Sequence, residues 1–414
     1  MTRKFIFFSL LFVLQHVLLF SQATIKSGTW RGVLSLNALE KNAELPFNFD
    51  VTYIHGKPTL TIRNASEKIK ITDLTFNNDS LVFMMPVFDT GFRLKISHDS
   101  LIGLWINYSK IEKNKIPFYA TPNTNHRFIA FPKTPLDFTG QYEVTFEKGT
   151  NDEYKAIGIF QHVGTKVTGT FLTETGDYRY LEGVANDTTL LLSCFDGSHA
   201  FLFKANSSAL SGKAEALNGT VLYGISGKET WEAIRNPNFT LKDPESITYL
   251  KNKNDSVWFT FKNIANQSVS LTDAKYKNKP VIIQIMGSWC PNCMDETAYL
   301  SKLYKSYNPK GLEIIALAYE RTPSFEKACA NVTRLKTKYN ATYEFLITGL
   351  TGKAKASESL PFLSAVNAFP TTIILDKNHR VKSIYTGFNG PATGKAHVIY
   401  TKKTESLVQH LLLE

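Results

Sequence analysis

Cysteine is scarce: 414 residues carry four, at Cys194, Cys290, Cys293 and Cys329. An exported domain stapled by disulfides carries more, so the fold is expected to rest on hydrophobic cores. There is no second Cys pair and no His-x3-5-His, which leaves a tetrahedral structural metal site without ligands. Long apolar runs are scarce too. One occupies residues 5–20, behind Arg3 and Lys4 and broken by Gln15-His16, and no other approaches the length of a membrane span. Basic residues outnumber acidic ones, 47 to 36, giving a formal charge of +11, yet they form no dense patch, which argues against nucleic acid as a partner. The Gly-rich segment 386–394 lacks a phosphate-loop lysine pattern and is read as a surface loop. No metal and no cofactor is expected.

What is present begins with residues 1–22, whose basic start, apolar core and polar end are those of a secretory signal peptide, with a retained anchor as the alternative. The expected location is therefore the periplasm or cell envelope. Residues 24–235 show short alternating segments separated by Asn, Asp, Gly and Ser turns, an all-β pattern. Segment 79–89 resembles segment 187–196, an offset of about 107 residues, so two similar β-rich units are expected, 24–133 and 134–235. Either two small barrels or two sandwiches would fit. Trp30, Tyr53, Phe88, Trp105 and Tyr142 are core aromatics or line a ligand pocket. A linker at 236–253, with Pro237 and Pro244, leads into an α/β domain at 254–414.

In that domain Gly287-Ser288-Trp289-Cys290-Pro291-Asn292-Cys293 follows the apolar run 281–286. A buried strand leading into a helix that starts at Pro291 sets the Cys290 sulfur before free backbone N–H groups, the position of an attacking thiolate. Cys293, about one turn on, can displace a mixed disulfide formed at Cys290. A structural bridge across two residues closes too small a loop to stabilise much, so redox exchange is the expectation. Cys194 and Cys329 are read as buried free thiols. Strands are predicted at 281–287, 312–319, 343–347, 371–376 and 381–387, helices at 291–307, 323–339 and 401–413, and a polar excursion at 348–367. Leu407, Val408, Leu411 and Leu412 form the stripe of the last helix, and His379 is read as a solvated turn residue. Pro370, at a strand entry, cannot donate to a ladder and needs a reason to be there.

Trp289-Cys290-x-x-Cys293, Phe369-Pro370-Thr371-Thr372 before a strand, and the Asp376-Lys377-Asn378-His379 turn together resemble the thioredoxin fold. The resemblance implies a cis Pro370 facing the dithiol and a Phe369 backbone that pairs with the incoming substrate, with Trp289 and Pro291 beside it. Within that fold the chain is similar to the extracytoplasmic disulfide reductases of the TlpA/ResA type, grouped with redoxin and AhpC/TSA-like domains. The hairpin segments 259–263 and 269–273 match that group, and Glu296 stands where it carries a glutamate tuning the thiols. A partly buried carboxyl there can hold a proton near neutrality and exchange it with Cys293. The alternative is an exposed acid complementing the helix dipole. Gln284 replaces the buried aspartate of cytoplasmic thioredoxins, which leaves proton handling to Glu296 or water. The chain departs from the group at Thr297-Ala298, where a proline commonly follows, and in the excursion 348–367.

The resemblance implies a thiol:disulfide oxidoreductase reducing disulfides in exported proteins, re-reduced by a membrane or periplasmic thiol electron donor. Exchange chemistry alone does not set direction, so an oxidase or isomerase stands as an alternative. A peroxiredoxin-like peroxidase would need a threonine where Gly287 stands. A β-domain binding protein with a regulatory dithiol is the non-enzymatic alternative.

Overall fold

A computed structural model describes residues 24–109, 114–130 and 136–414; the signal-peptide reading of 1–22 lies outside the described residues. Among the described residues no helix is long and apolar enough to cross a membrane. The protein is multidomain, with two β units followed by an α/β domain.

The first unit is an open nine-stranded antiparallel sheet. Its strands run as neighbours from Thr75–Asn77 to Asn114–Pro122, then through Gly28–Ser35 to Glu67–Ile71. The second unit repeats this order but closes. Its sheet also has nine strands, of which the two-residue Gly176–Asp177 is a spur, and pairing of Lys166–Thr173 with both Tyr154–Val163 and Leu181–Asn186 joins the rest into a ring. The repeat is visible residue by residue in the turns. Asn78 and Asp187 both adopt φ 50, and Gly56 and Gly164 sit at φ 76 and 65 in matching hairpins, conformations that favour Asn, Asp and Gly. The expected pair of similar β units is thus one barrel and one barrel left open.

Alternation explains both interiors. In the barrel, Tyr142, Phe146, Phe160, Phe171, Phe203 and Trp231 point inward and fill the lumen. The open sheet does not close on itself, so its concave face is left uncovered, and the barrel supplies the missing material. Phe195, fully buried, stacks on Phe47 at 4.6 Å and meets Phe92 and Trp105 edge-on at 5.6 and 5.9 Å. Ser193 Oγ donates to the Pro46 carbonyl at 2.6 Å, and Asn64 Nδ2 to the Phe195 carbonyl at 2.9 Å. Trp30, Phe88, Trp105 and Tyr142 are all buried, whereas Tyr53 is 39% exposed.

The third unit is a seven-stranded sheet in which Val281–Met286 is an interior strand, parallel to Glu313–Ala318 and antiparallel to Thr371–Leu375. Its helices are α1 (Pro291–Tyr307), α2 (Phe325–Tyr339), α3 (Gly352–Ser359) and α4 (Lys395–Leu413). Helix α3 lies in the stretch read as a polar excursion; it buries one residue, Ala356, and so leaves no periodic signal. Helix α4 starts six residues before the predicted 401, because Tyr400 packs on Tyr385 at 4.5 Å and Phe388 at 5.1 Å, contacts that residue order alone does not reveal. Val408 and Leu411 are buried as its stripe predicts. The segment 236–253 is docked rather than free: Glu245 accepts from Ser383 at 2.9 Å and pairs with Lys403 at 2.7 Å, and Leu250 bridges to Leu363. Cys194 is buried in the barrel, but Cys329 is only partly covered, since α2 turns its buried face through Ala328, Val332 and Leu335. His379 is half-buried, its Nε2 lying 3.0 Å from the Tyr276 carbonyl oxygen.

Phe195→Ala empties the point where the two β units share a core. A loss of about 3–5 kcal/mol is expected, read as a fall in the urea midpoint of the β units; an unchanged midpoint would mean that the open sheet fills its core without the barrel.

Candidate active site

The site begins with a strand whose six residues are all buried, which fixes where the chain leaves the sheet. Gly287 turns it against the Trp289 indole, whose Nε1 would lie 2.4 Å from a Cβ there. Helix α1 then starts at Pro291, a residue that lacks an N–H and needs no partner for one. Cys290 is the N-cap, and its Sγ accepts the Cys293 N–H at 3.2 Å. Cys290 is 6% exposed, and Cys293 lies wholly buried behind it.

The Phe369-Pro370 peptide is cis. The Phe369 carbonyl accepts from the Cys290 Sγ at 3.3 Å, and the Phe369 ring meets the Trp289 ring edge-on at 5.5 Å. Trp289 Nε1 donates to the Tyr319 carbonyl at 2.9 Å. The Arg321 guanidinium lies 3.7 Å from the Trp289 ring centre, a cation–π contact. Cys290, Cys293, Trp289, Pro291, Phe369 and Pro370 therefore come together as one constellation.

Glu296 is part of it, but deeper than expected. It is fully buried, so neither partial burial nor an exposed dipole-complementing acid describes it. Helix geometry explains this, since a residue one turn beyond Cys293 faces the same interior strand. Its Oε1 accepts from Thr372 at 2.6 Å and Tyr400 at 3.2 Å, and its Oε2 from Gln284 Nε2 at 2.9 Å. Burial pushes its pKa up to about 7, against the lowering effect of these three donors. Burial likewise raises the Cys293 thiol well above its ordinary range, with the Cys290 sulfur and the Glu296 charge adding to it. Gln284 thus serves as a donor to the carboxyl, while its Oε1 accepts from Tyr343 at 3.3 Å.

Several participants were not anticipated. Thr372 belongs to the quoted Pro-Thr-Thr stretch, and only the pleat places its hydroxyl on Glu296. Tyr400, Arg321 and Glu320 had no sequence signal. Glu320 is a second buried carboxylate, accepting the Ser288 N–H and Oγ, each at 2.7 Å, and Asn331 Nδ2 at 3.2 Å. The β units also reach the site. Barrel residue Arg179 donates to the Pro291 carbonyl at 3.0 Å and pairs with Asp295 on α1, with Asp196 of the barrel and with Glu67 of the open sheet. Among the described residues no cluster of His, Cys, Asp and Glu is arranged to hold a metal ion.

The Redoxin family matches residues 237–398, which leaves both β units outside the match. Thiol-disulfide oxidoreductase ResA of Geobacillus thermodenitrificans is 28% identical over 129 residues, covering 31% of this chain and 66% of its own. Thioredoxin-like protein YneN of Bacillus subtilis is 30% identical over 129 residues, covering 31% of this chain and 68% of its own. A thiol:disulfide interchange protein from Chlorobium tepidum TLS has a solved structure that aligns over 39% of this chain and 97% of its own, at 15% identity and a TM-score of 0.30. The chain spans from 57% to 68% of the length of such curated relatives.

The buried carboxyl predicts a pH signature. With a native pKa of about 7 above the ordinary 4.5, folded protein holds the Glu296 proton more tightly than unfolded chain does. Stability from this group is therefore fully present below pH 4.5 and is lost as pH rises through 7. The loss amounts to about 3 kcal/mol. Glu296→Gln should remove that slope, so its stability relative to wild type, followed by urea unfolding, should rise between pH 5 and pH 8; parallel curves would place the carboxylate in a solvated site.

Proposed function

Since the chain belongs to the thioredoxin-like proteins of the ResA/TlpA type, we propose that it is an extracytoplasmic thiol:disulfide oxidoreductase that reduces disulfides in exported proteins. The observation that carries this reading is the placement of two unequal sulfurs. Cys290 caps a helix beside the Phe369 carbonyl and is reachable, while Cys293 lies buried behind it over a carboxyl.

In the proposed cycle the client strand pairs at Phe369, next to cis Pro370, against Trp289 and Pro291. The Cys290 thiolate attacks one client sulfur: the client S–S bond breaks, a Cys290–client disulfide forms, and the departing client sulfur takes a proton. Glu296 then accepts the Cys293 proton, and the Cys293 sulfur attacks Cys290. The mixed disulfide breaks, the Cys290–Cys293 bond forms, and the second client sulfur leaves protonated. The client gains two electrons and two protons, and the dithiol is oxidised. A dithiol donor at the membrane or in the periplasm reverses the last two exchanges and restores the thiols.

Reduction is proposed from the likeness to the TlpA/ResA type. Exchange chemistry is reversible, and the potential of the Cys290–Cys293 pair together with its donor sets the direction. Export is supported by the character of residues 1–22.

Equilibration in thiol redox buffers with mass-spectrometric readout tests the direction. A potential near or below about −250 mV is expected for a reductase, and one near −120 to −180 mV would replace it with an oxidase or isomerase. Cys290→Ser should abolish exchange, and Cys293→Ala should trap the mixed disulfide. Glu296→Gln should slow client release about 10²-fold at neutral pH, seen as accumulation of the Cys290–client adduct in quenched samples; release at the wild-type rate would assign proton transfer to water.

A further inference from the structure

We propose that the closed barrel supplies part of the substrate site: the space at its mouth receives a cationic side chain, Lys or Arg, of an extended cysteine-bearing peptide whose sulfur lies at Cys290. This rests on the disulfide-exchange reading above and extends it to the kind of client accepted.

Cys290 opens onto a space of about 360 Å³ to which all three units contribute, with Trp105 and Asn107 from the open sheet, Ser198 and Tyr223 from the barrel, and Trp289 and Arg321 from the thioredoxin-like domain. A second space of about 720 Å³ lies at the barrel mouth. The two meet, because His199, Phe201, Tyr223 and Asn292 line both. Each has the size of a ligand site. The barrel is set tightly against the start of α1: a Cβ on Gly176 would lie 2.6 Å from Asn292 Nδ2, and one on Gly387 would lie 2.8 Å from the Thr175 carbonyl carbon. The roof over Cys290 is therefore a fixed part of the site. A folded domain cannot bring its disulfide under it, and an extended segment can.

The chemistry of the larger space selects a cation. Its walls are the rings of Tyr154, Tyr178, Tyr223 and Phe201. Glu229 stands among them, accepting from Tyr154 at 2.8 Å and Tyr223 at 2.6 Å, and the exposed Glu153 and Glu174 stand at the rim. Among the described residues the one lysine lining it, Lys155, is engaged elsewhere, with Glu143 at 3.1 Å and Thr145 at 2.8 Å, and His199 is held by Asp196 at 3.1 Å. Aromatic faces backed by carboxylates, with no unpaired cation among the described lining side chains, are the surroundings in which a Lys or Arg head group is held.

The test uses full-length Cys290→Ser protein, which binds without exchanging, and a set of cysteine peptides identical except for Arg or Glu placed a few residues to either side of the cysteine. Calorimetry should show the best Arg peptide binding about tenfold more tightly than its Glu counterpart. Glu229→Gln and, separately, Glu153→Lys in the same background should erase that difference; Glu153 lies outside the tyrosine array, so its substitution leaves the packing intact. Turnover of the disulfide forms of both peptides by wild type is measured alongside. Turnover with equal affinities, or a preference that survives both substitutions, would overturn the assignment of the barrel mouth and leave disulfide exchange standing. Absence of turnover on every disulfide would instead remove the exchange reading, whatever the affinities.

Discussion

The buried guanidinium of Arg179 is the interaction on which the arrangement of the three units depends. A cation taken wholly out of water is tolerable only when paired and hydrogen-bonded. Arg179 finds its partners in all three units: Glu67 in the open sheet, Asp196 in the barrel, and Asp295 with the Pro291 carbonyl at the start of α1. The carboxylates outnumber the cation, and their proton affinities separate accordingly. Burial raises Asp295 to about 7 against the lowering effect of Arg179, with Asp177 and Glu67 adding to the rise. Burial opposes Asp196 as well, but His199 and Arg179 hold it down at about 2. No single unit could fold around this cluster alone, so the cluster specifies their mutual placement more than it adds stability.

That placement brings β units with no catalytic constellation of their own over a dithiol. The thioredoxin-like domain provides the sulfurs, the cis Pro370 edge and the proton-holding Glu296. The barrel and the open sheet provide walls: Ser198, Tyr223 and Trp105 face the space in front of Cys290. Chemistry and selection are thus divided between parts of the chain that differ in architecture, and the Redoxin match covers the first part only.

How much of this could be read from sequence follows the range of each interaction. The strand, turn and helix around Cys290 were legible because each signal is local: an apolar run, a helix-opening proline and a 3.6-residue period. The predicted helix 291–307 coincides with α1. The cis Pro370 was legible through resemblance. The full burial of Glu296 was not, because Thr372 and Tyr400 reach it from 76 and 104 residues away. Closure of one β unit and not the other was also hidden. It depends on which strand comes to lie beside the third one: Lys166–Thr173 pairs across to Leu181–Asn186 and closes the ring, whereas Lys57–Asn64 pairs only on to Glu67–Ile71 and leaves an edge. Helix α3 and the first turn of α4 were missed for want of an apolar stripe.

The open sheet has one more consequence, which concerns time rather than space. A chain is made from its N-terminus, so residues 28–122 emerge before Phe195, the ring that completes their core. Until it arrives, Phe47, Phe92 and Trp105 lack their partner, while the two edge strands, Glu67–Ile71 and Thr75–Asn77, lie open as they do in the finished sheet. Such a nascent sheet is a template for the wrong neighbour, including the equivalent strands of the barrel that follows it with the same order. The lysines at 68 and 70, exposed and alternating along one of those edges, then act as a guard from synthesis onward, since the edge stays open in the finished molecule.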